Sequence, residues 1–326
     1  MRSPLRFRPY LRPMVWGGRH LAERLGKALP TDEAYGESWE ISDHVSHRSE
    51  VTSAGTTLHE LMEADAKAIT GTPAPGFPWL VKYLDACDWL SVQVHPDEVA
   101  VRKLLPGEGS KTEAWFILDA RPGSRVWAGL KPGVDEAILR RACQDGSVAD
   151  CLHSFEPKAG DCLFLPAGTV HAVGGGVLMA EVQQTSDATF RLFDWNRRDA
   201  QGRSRALHIE EAMASIDWKA GPVTPVHVAD YPRGAPHCQE LVRCRYFHLD
   251  YLRQRDSFAL GGGKMQVMLV LHGEGDLWSE GGREALRTGD TLLLPATLSG
   301  VRIRPRGSIG LLLSTLPEAV SVSKVA

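Results

Sequence analysis

The chain has no Cys-x-x-Cys pair; its six cysteines, Cys87, Cys143, Cys151, Cys162, Cys238 and Cys244, are scattered singly. That spacing excludes the common zinc-ribbon and redox-dithiol patterns, and it reads as six small apolar residues in a reducing compartment. Long apolar runs are missing too. No stretch approaches the roughly 20 uninterrupted apolar residues of a membrane span, and the segment from Met1 to Pro9 has no apolar signal-peptide core. A cytoplasmic protein without a membrane partner is therefore expected. Excess charge of one sign is also absent: 37 Lys and Arg against 40 Asp and Glu leave a formal net charge of −3. No nucleic-acid partner is implied, although a local cluster of Lys and Arg can still hold a small anion.

Turn formers, by contrast, are plentiful. Thirty-two glycines and twenty prolines cut the 326 residues into short segments rich in Val, Leu and Ile, which predicts a mainly β protein with a few short helices. The helical spacing is clearest over 57–68, 135–151 and 209–216. Gly160-Asp161 followed by Cys-Leu-Phe-Leu and Pro166-Ala167 recurs as Gly289-Asp290 followed by Thr-Leu-Leu-Leu and Pro295-Ala296. The echo predicts a duplicated β-unit, hence two jelly-roll barrels. The first copy continues to His171, where the second has Gly300, so only the first can carry chemistry that needs this imidazole. Gly221-Pro222-Val223-Thr224-Pro225 marks the expected boundary. It gives a catalytic domain over 1–220, with N-terminal strands and a helical insertion at 135–153, and a degenerate C-terminal domain over 221–326.

The chemistry is concentrated in short β-like segments. Alternation along a strand puts Ser91, Gln93 and His95 on one face, Lys111 and Glu113 on another, then Glu181 with Gln183, and Thr189 with Arg191. Four strands would thus aim polar groups at one interior, where each needs a partner. Two imidazoles, His95 and His171, with Glu113 and a possible amide oxygen from Gln93, make a donor set for one Zn²⁺ per chain; Fe²⁺ or Mn²⁺ would also suit. The other ten histidines, among them His44, His47, His153 and His208, have no such strand-borne neighbours and read as structural or surface residues.

These segments resemble the type I mannose-6-phosphate isomerases of the cupin superfamily, in their shorter bacterial form. The resemblance lies in Trp16-Gly17, Glu37-Ser38-Trp39-Glu40, Ser91 through Pro96, Lys111-Thr112-Glu113, Pro166 through His171, and Glu181 with Thr189-Phe190-Arg191, in that order over the first 200 residues or so. It implies that Gln93, His95, Glu113 and His171 bind zinc and that Arg191 is the active-site arginine. Ser91, Lys111 and Glu181 would line the pocket of a sugar phosphate, converted from aldose to ketose through an enediol. Lys111 is the first choice for the base, its pKa lowered by burial and a neighbouring cation, and Glu181 the second. Arg191 would hold the enediolate or the phosphate. The loop Asn196 to Arg205 carries four more arginines that read either as a solvated loop or as a phosphate-steering rim. Competing readings are a non-haem metal oxygenase on the same barrel, a non-catalytic sugar-binding cupin, and an isomerase of a different sugar. A monomer or a homodimer fits equally.

Overall fold

The computed structural model describes residues 1–198, 202–228 and 237–317. Among these the chain is mainly β, with five short α-helices, none long and apolar enough to cross a membrane. It divides into two compact units: Phe7–Glu50 with Pro78–Ala229, and Met1–Arg6 with Val51–Phe77 and Asp230–Ala326. This division differs from the expected break after residue 220. Residues 221–228 stay with the larger unit because Val223 N–H donates to Ala128 O at 3.0 Å and Val226–His227 pairs with the Asp161–Leu165 strand. The helix near 57–68 falls with the C-terminal residues instead, since the Ala296 N–H donates to Ile69 O at 2.8 Å at its end.

In the larger unit a seven-stranded sheet runs in the order Tyr10–Gly18, Tyr35–Ile41, Trp79–Ala86, Val177–Gln184, Glu113–Ala120, Asp161–Leu165 and Val226–His227. A five-stranded sheet runs Phe190–Phe193, Val92–Val94, His171–Gly174, Arg125–Leu130 and Leu152–Phe155. All pairings are antiparallel. Leu84, Ile117, Leu163 and Met179 of the first sheet and Val126, Ala128 and Val173 of the second share one apolar cluster, the layer plan of a jelly roll. The outer face of the five-stranded sheet is covered by the helices Glu136–Asp145 and Ile209–Ser215, whose Leu139, Ala142, Ala212 and Met213 pack with Val92, Val94, Trp127 and Ala172. The expected 135–151 helix is broken: Gly146 takes φ 83°, a left-handed C-cap, and a single 3₁₀ turn follows at Val148–Cys151.

The smaller unit repeats the plan. Its five-stranded sheet, His237–Arg243, His248–Gln254, Ile309–Thr315, Gln266–His272 and Thr291–Leu294, shares an apolar cluster with a four-stranded one, Phe258–Ala259, Arg302–Pro305, Glu274–Ser279 and Gly282–Arg287. Its helix Leu58–Thr70 starts on a capping box between Thr57 and Glu60 and ends on left-handed Gly71. The sequence echo is a structural one. Asp161 Oδ2 accepts from Lys158 N–H at 2.8 Å, and Asp290 Oδ2 accepts from Arg287 N–H at 2.9 Å. In both copies the preceding glycine is left-handed, φ 93° at Gly160 and 88° at Gly289, and its N–H bonds a strand carbonyl, Ile117 O or Val270 O.

Candidate active site

Within the larger unit the inward face of each strand changes from apolar to polar along its length. On Val177–Gln184 the inward positions read Val177, Met179, Glu181 and Gln183; on Glu113–Ala120 they read Ile117, Trp115 and Glu113, and Glu181 stands directly opposite Trp115. Across the core, the five-stranded sheet sets His171 and Arg191 on either side of Gln93, each its direct cross-strand partner. Period-two alternation thus delivers the polar set to one end of the shared core. Two expected strands are shorter than predicted. Only Val92–Val94 pairs, which frees Leu90 to join the apolar cluster between the sheets rather than the outer one of Val92 and Val94, and Lys111 precedes the strand that starts at Glu113.

His95, Glu113 and His171 converge, their ligand atoms all within 4.8 Å of one another and all three residues buried. His95 Nδ1–H donates to Ala188 O at 2.8 Å and His171 Nδ1–H to Thr169 O at 2.9 Å, so each Nε2 lone pair is turned toward the carboxylate. The Glu113 oxygens lie 3.4 Å from His95 Nε2 and 3.3 Å from His171 Nε2. Neither oxygen, although buried, receives an aligned hydrogen bond; Lys111 Nζ comes to 2.9 Å of Oε2 as an ion pair off the preferred angles. The same ammonium is 3.0 Å from His95 Nε2, so the donor set already draws one positive charge toward itself. A carboxylate without aligned donors and two imidazole lone pairs, with their far nitrogens fixed on carbonyls, are the features a divalent cation needs.

Burial lowers the pKa of both imidazoles, to about 4 for His171, and keeps them neutral. For Glu113 burial works upward, but Lys111 and the two histidines outweigh it and hold the carboxyl well below its usual range. The burial expected to lower Lys111 is present as well. It is overcome by the charges of Glu113 and Glu181, which hold the ammonium above its ordinary value. Glu181 goes the other way: burial, opposed by Lys82 and aided by Glu113, pushes it up to about 8.

A polar chain links the second sheet to this cluster. Arg191 Nε–H donates to Ser91 Oγ at 3.2 Å, Ser91 donates to Gln93 Oε1 at 3.3 Å, and the Gln93 amide nitrogen reaches His171 Nε2 at 3.3 Å. In this orientation Gln93 offers nitrogen, not oxygen, to the metal-type cluster; turning the amide over exchanges the two. Ser91, Gln93, Lys111, Glu113, Glu181 and Arg191 all border one cavity of about 290 Å³, and His95 and His171 adjoin it through Glu113. All the site residues expected from the sequence are therefore brought together.

Several cavity residues escaped the sequence reading. Lys82, 3 % exposed, pairs across the strands with both Glu181 and Trp39, and its Nζ lies 5.1 Å over the Trp39 ring. Its signal was a lysine inside Trp79-Leu80-Val81-Lys82-Tyr83-Leu84, in step with inward-facing Leu84. Arg12 and Glu37 form a 3.0 Å ion pair in the wall, and Asp187 borders the cavity as well; Arg205, one of the loop arginines already read as a possible phosphate-steering rim, completes the wall. Of the four loop arginines only Arg205 borders the cavity; Arg198 bonds Gly202 O at the surface, and residues 199–201 of that loop lie outside the described residues.

The model of the type I phosphomannose isomerase catalytic domain matches residues 5–114. The mannose-6-phosphate isomerase of Streptococcus mutans is 35 % identical over 308 residues, covering 91 % of this chain and 94 % of that one. The mannose-6-phosphate isomerase ManA of Bacillus subtilis is 32 % identical, covering 92 % and 96 %. The crystal structure of the mannose 6-phosphate isomerase from Bacillus subtilis superposes with a TM-score of 0.85 at 30 % identity, covering 96 % of this chain and 99 % of that one.

Proposed function

Because the chain belongs to the mannose-6-phosphate isomerase family, we propose that it interconverts mannose 6-phosphate and fructose 6-phosphate with one zinc ion, held by His95, Glu113, His171 and the Gln93 amide oxygen. The observation that carries the reading is the buried His95–Glu113–His171 cluster bordering a polar cavity. Membership in the family sets aside the oxygenase and the non-catalytic sugar-binding alternatives. When bound, the cation supplies Lewis-acid polarisation of the sugar oxygens and takes up the Glu113 charge that otherwise holds Lys111 as an ammonium.

The chain's own groups supply the rest. Aldose–ketose exchange takes a proton from C2, passes through an enediol, returns a proton to C1, and moves another between O2 and O1. Lys111 and Glu181, 3.7 Å apart in the cavity wall, are the pair that carries the carbon-bound proton. Their protons belong to the pair rather than to either residue. Glu181, pushed to about 8, sits near neutrality, where a group both takes and gives a proton readily. Arg191, oriented by Ser91, brings its guanidinium to the same cavity, where it stabilises negative charge on the bound sugar phosphate. Trp16, Leu84, Leu90 and Trp115 form the apolar part of the wall and limit the water beside the enediol.

Turnover of mannose 6-phosphate in deuterated water tests this. Wild type should place deuterium on carbon during conversion, while Glu181→Gln and Lys111→Met should lose conversion and keep their metal. Full activity in both variants, or in protein freed of metal, would refute the assignment.

A further inference from the structure

The end of the Phe190–Phe193 strand holds a charge cluster that chemistry at Glu113 does not use. Asp194, 6 % exposed, accepts from Arg205 Nε at 2.7 Å, from Arg205 Nη2, and from Arg197 Nη2 at 2.5 Å. Arg191 stands close enough to Arg205 to feel its charge: burial, then the Arg205 charge, pulls the Arg191 pKa down. Three guanidiniums therefore share one buried carboxylate. Asp88, 3.8 Å from Arg197, is more than half exposed and compensates weakly; of the cavity acids, Glu37 pairs with Arg12, Glu113 and Glu181 lie against Lys111, and Asp187 acts on Lys111 as well. The surplus positive charge faces the cavity, since Arg191 and Arg205 both line it.

The donors left over are specific. Arg191 uses Nε on Ser91 and Nη1 on Ala206 O at 2.9 Å, and Arg205 uses Nε and Nη2 on Asp194. Arg191 Nη2 and Arg205 Nη1 have no partner among the described residues. Two N–H pairs on neighbouring, half-buried guanidiniums suit the oxygens of a phosphate dianion, which would also neutralise the surplus charge. The two-point contact with Asp194 fixes the plane of the Arg205 fork, which a lysine could not do. The chain around Asp194 is itself held: Trp195 and Asn196 take left-handed φ of 56° and 55°, and the Trp195 indole N–H donates to Leu90 O at 2.6 Å.

We propose that Arg205 is a specificity-determining contact for the substrate phosphate and that Asp194 is the positioning residue that aims it. The inference rests on the isomerase reading above. It predicts that Arg205→Ala raises KM for mannose 6-phosphate by about tenfold or more, the scale of a lost charged hydrogen bond, with a smaller change in kcat. Binding of inorganic phosphate, followed by titration calorimetry, should weaken by a similar factor. Turnover of unphosphorylated mannose should not change. Millimolar guanidinium should restore part of the loss, which a merely misfolded variant would not show. Asp194→Asn should follow in the same direction, Arg205→Lys should recover only in part, and Arg198→Ala should behave as wild type. Equal phosphate binding in wild type and Arg205→Ala, or an equal loss with mannose, overturns the proposal. Should wild type bind phosphate through Arg205 yet fail to convert mannose 6-phosphate, the isomerase reading falls and the anion contact stands.

Discussion

Arg191 and Gln93 are direct cross-strand partners whose side chains meet at the Ser91 hydroxyl, 3.2 Å from the guanidinium Nε and 3.3 Å from the Gln93 amide. One hydroxyl thus couples a guanidinium that borders the cavity to the amide beside His171. Ser91→Ala should keep bound metal and fold while lowering kcat/KM for mannose 6-phosphate by about tenfold, the cost of a charged hydrogen bond. Steady-state kinetics with metal content measured on the same sample checks this; loss of metal with the activity would mean that Ser91 acts on the cluster instead.

His171 contributes one imidazole and, through its partner Gln93, the link to the neighbouring strand. His171→Ala should lose both bound zinc and isomerase activity, with the fold retained because the backbone pairing to Ala128 survives. Elemental analysis and an assay after metal addition read the two effects; activity in a metal-free variant would sink the metal role.

Gly129 has φ 79°, and a methyl group there would meet Gly221 O at 2.2 Å. Its N–H donates to Val170 O, one residue before His171. Gly129→Ala should therefore cost about 2 kcal/mol or more, from strain and from the forced separation of two backbones. Denaturant unfolding gives the number, and a loss of metal affinity should accompany it.

Asp194 is held as a carboxylate: burial works to raise its pKa, but hydrogen bonds from Arg205 and Arg197 outweigh it and leave the value below the ordinary 3.8. A depressed folded pKa means that the ion pairs stabilise fully above that ordinary value and fade as pH falls through the lower folded one. Asp194→Asn should cost about 2 kcal/mol at pH 7, and the gap from wild type should narrow below roughly pH 4. Unfolding curves at pH 7 and pH 3 test the sign; an unchanged gap at both would exclude this origin.

What could be read from the sequence followed from parity. Alternation along four strands placed Gln93, Glu113, Glu181 and Arg191 in one interior, and the Gly-Asp echo marked two turns that share their hydrogen bonds. What escaped depended on the return path of the chain. Asp194 and Arg205 meet only because a loop comes back beside the strand it left, and no local pattern encodes that distance. Lys82 was within reach of the same parity argument, but a lysine in an apolar strand also reads as an edge or an outer face. Glu113, and after it Glu181 at 3.7 Å, hold the Lys111 ammonium above its ordinary value, whereas the expected lowering rests on a neighbouring cation as well as on burial.

The bridge between Leu5 and Leu293, closed by hydrogen bonds of 2.8 and 2.9 Å, spans most of the chain within the smaller unit. During synthesis from the N-terminus, Met1–Arg6 and the Val51–Phe77 segment leave the ribosome long before the strands they join. The larger unit, by contrast, has all its strands once residue 227 has emerged. The order of birth therefore favours a finished larger unit while the first residues still wait for their partners, and the last contact to form is one of very high sequence separation, a slow kind of closure. Shortening the chain from its C-terminus should leave the Leu58–Thr70 helix without its partners, exposing apolar side chains such as Ile69 that a chaperone or a protease would find first.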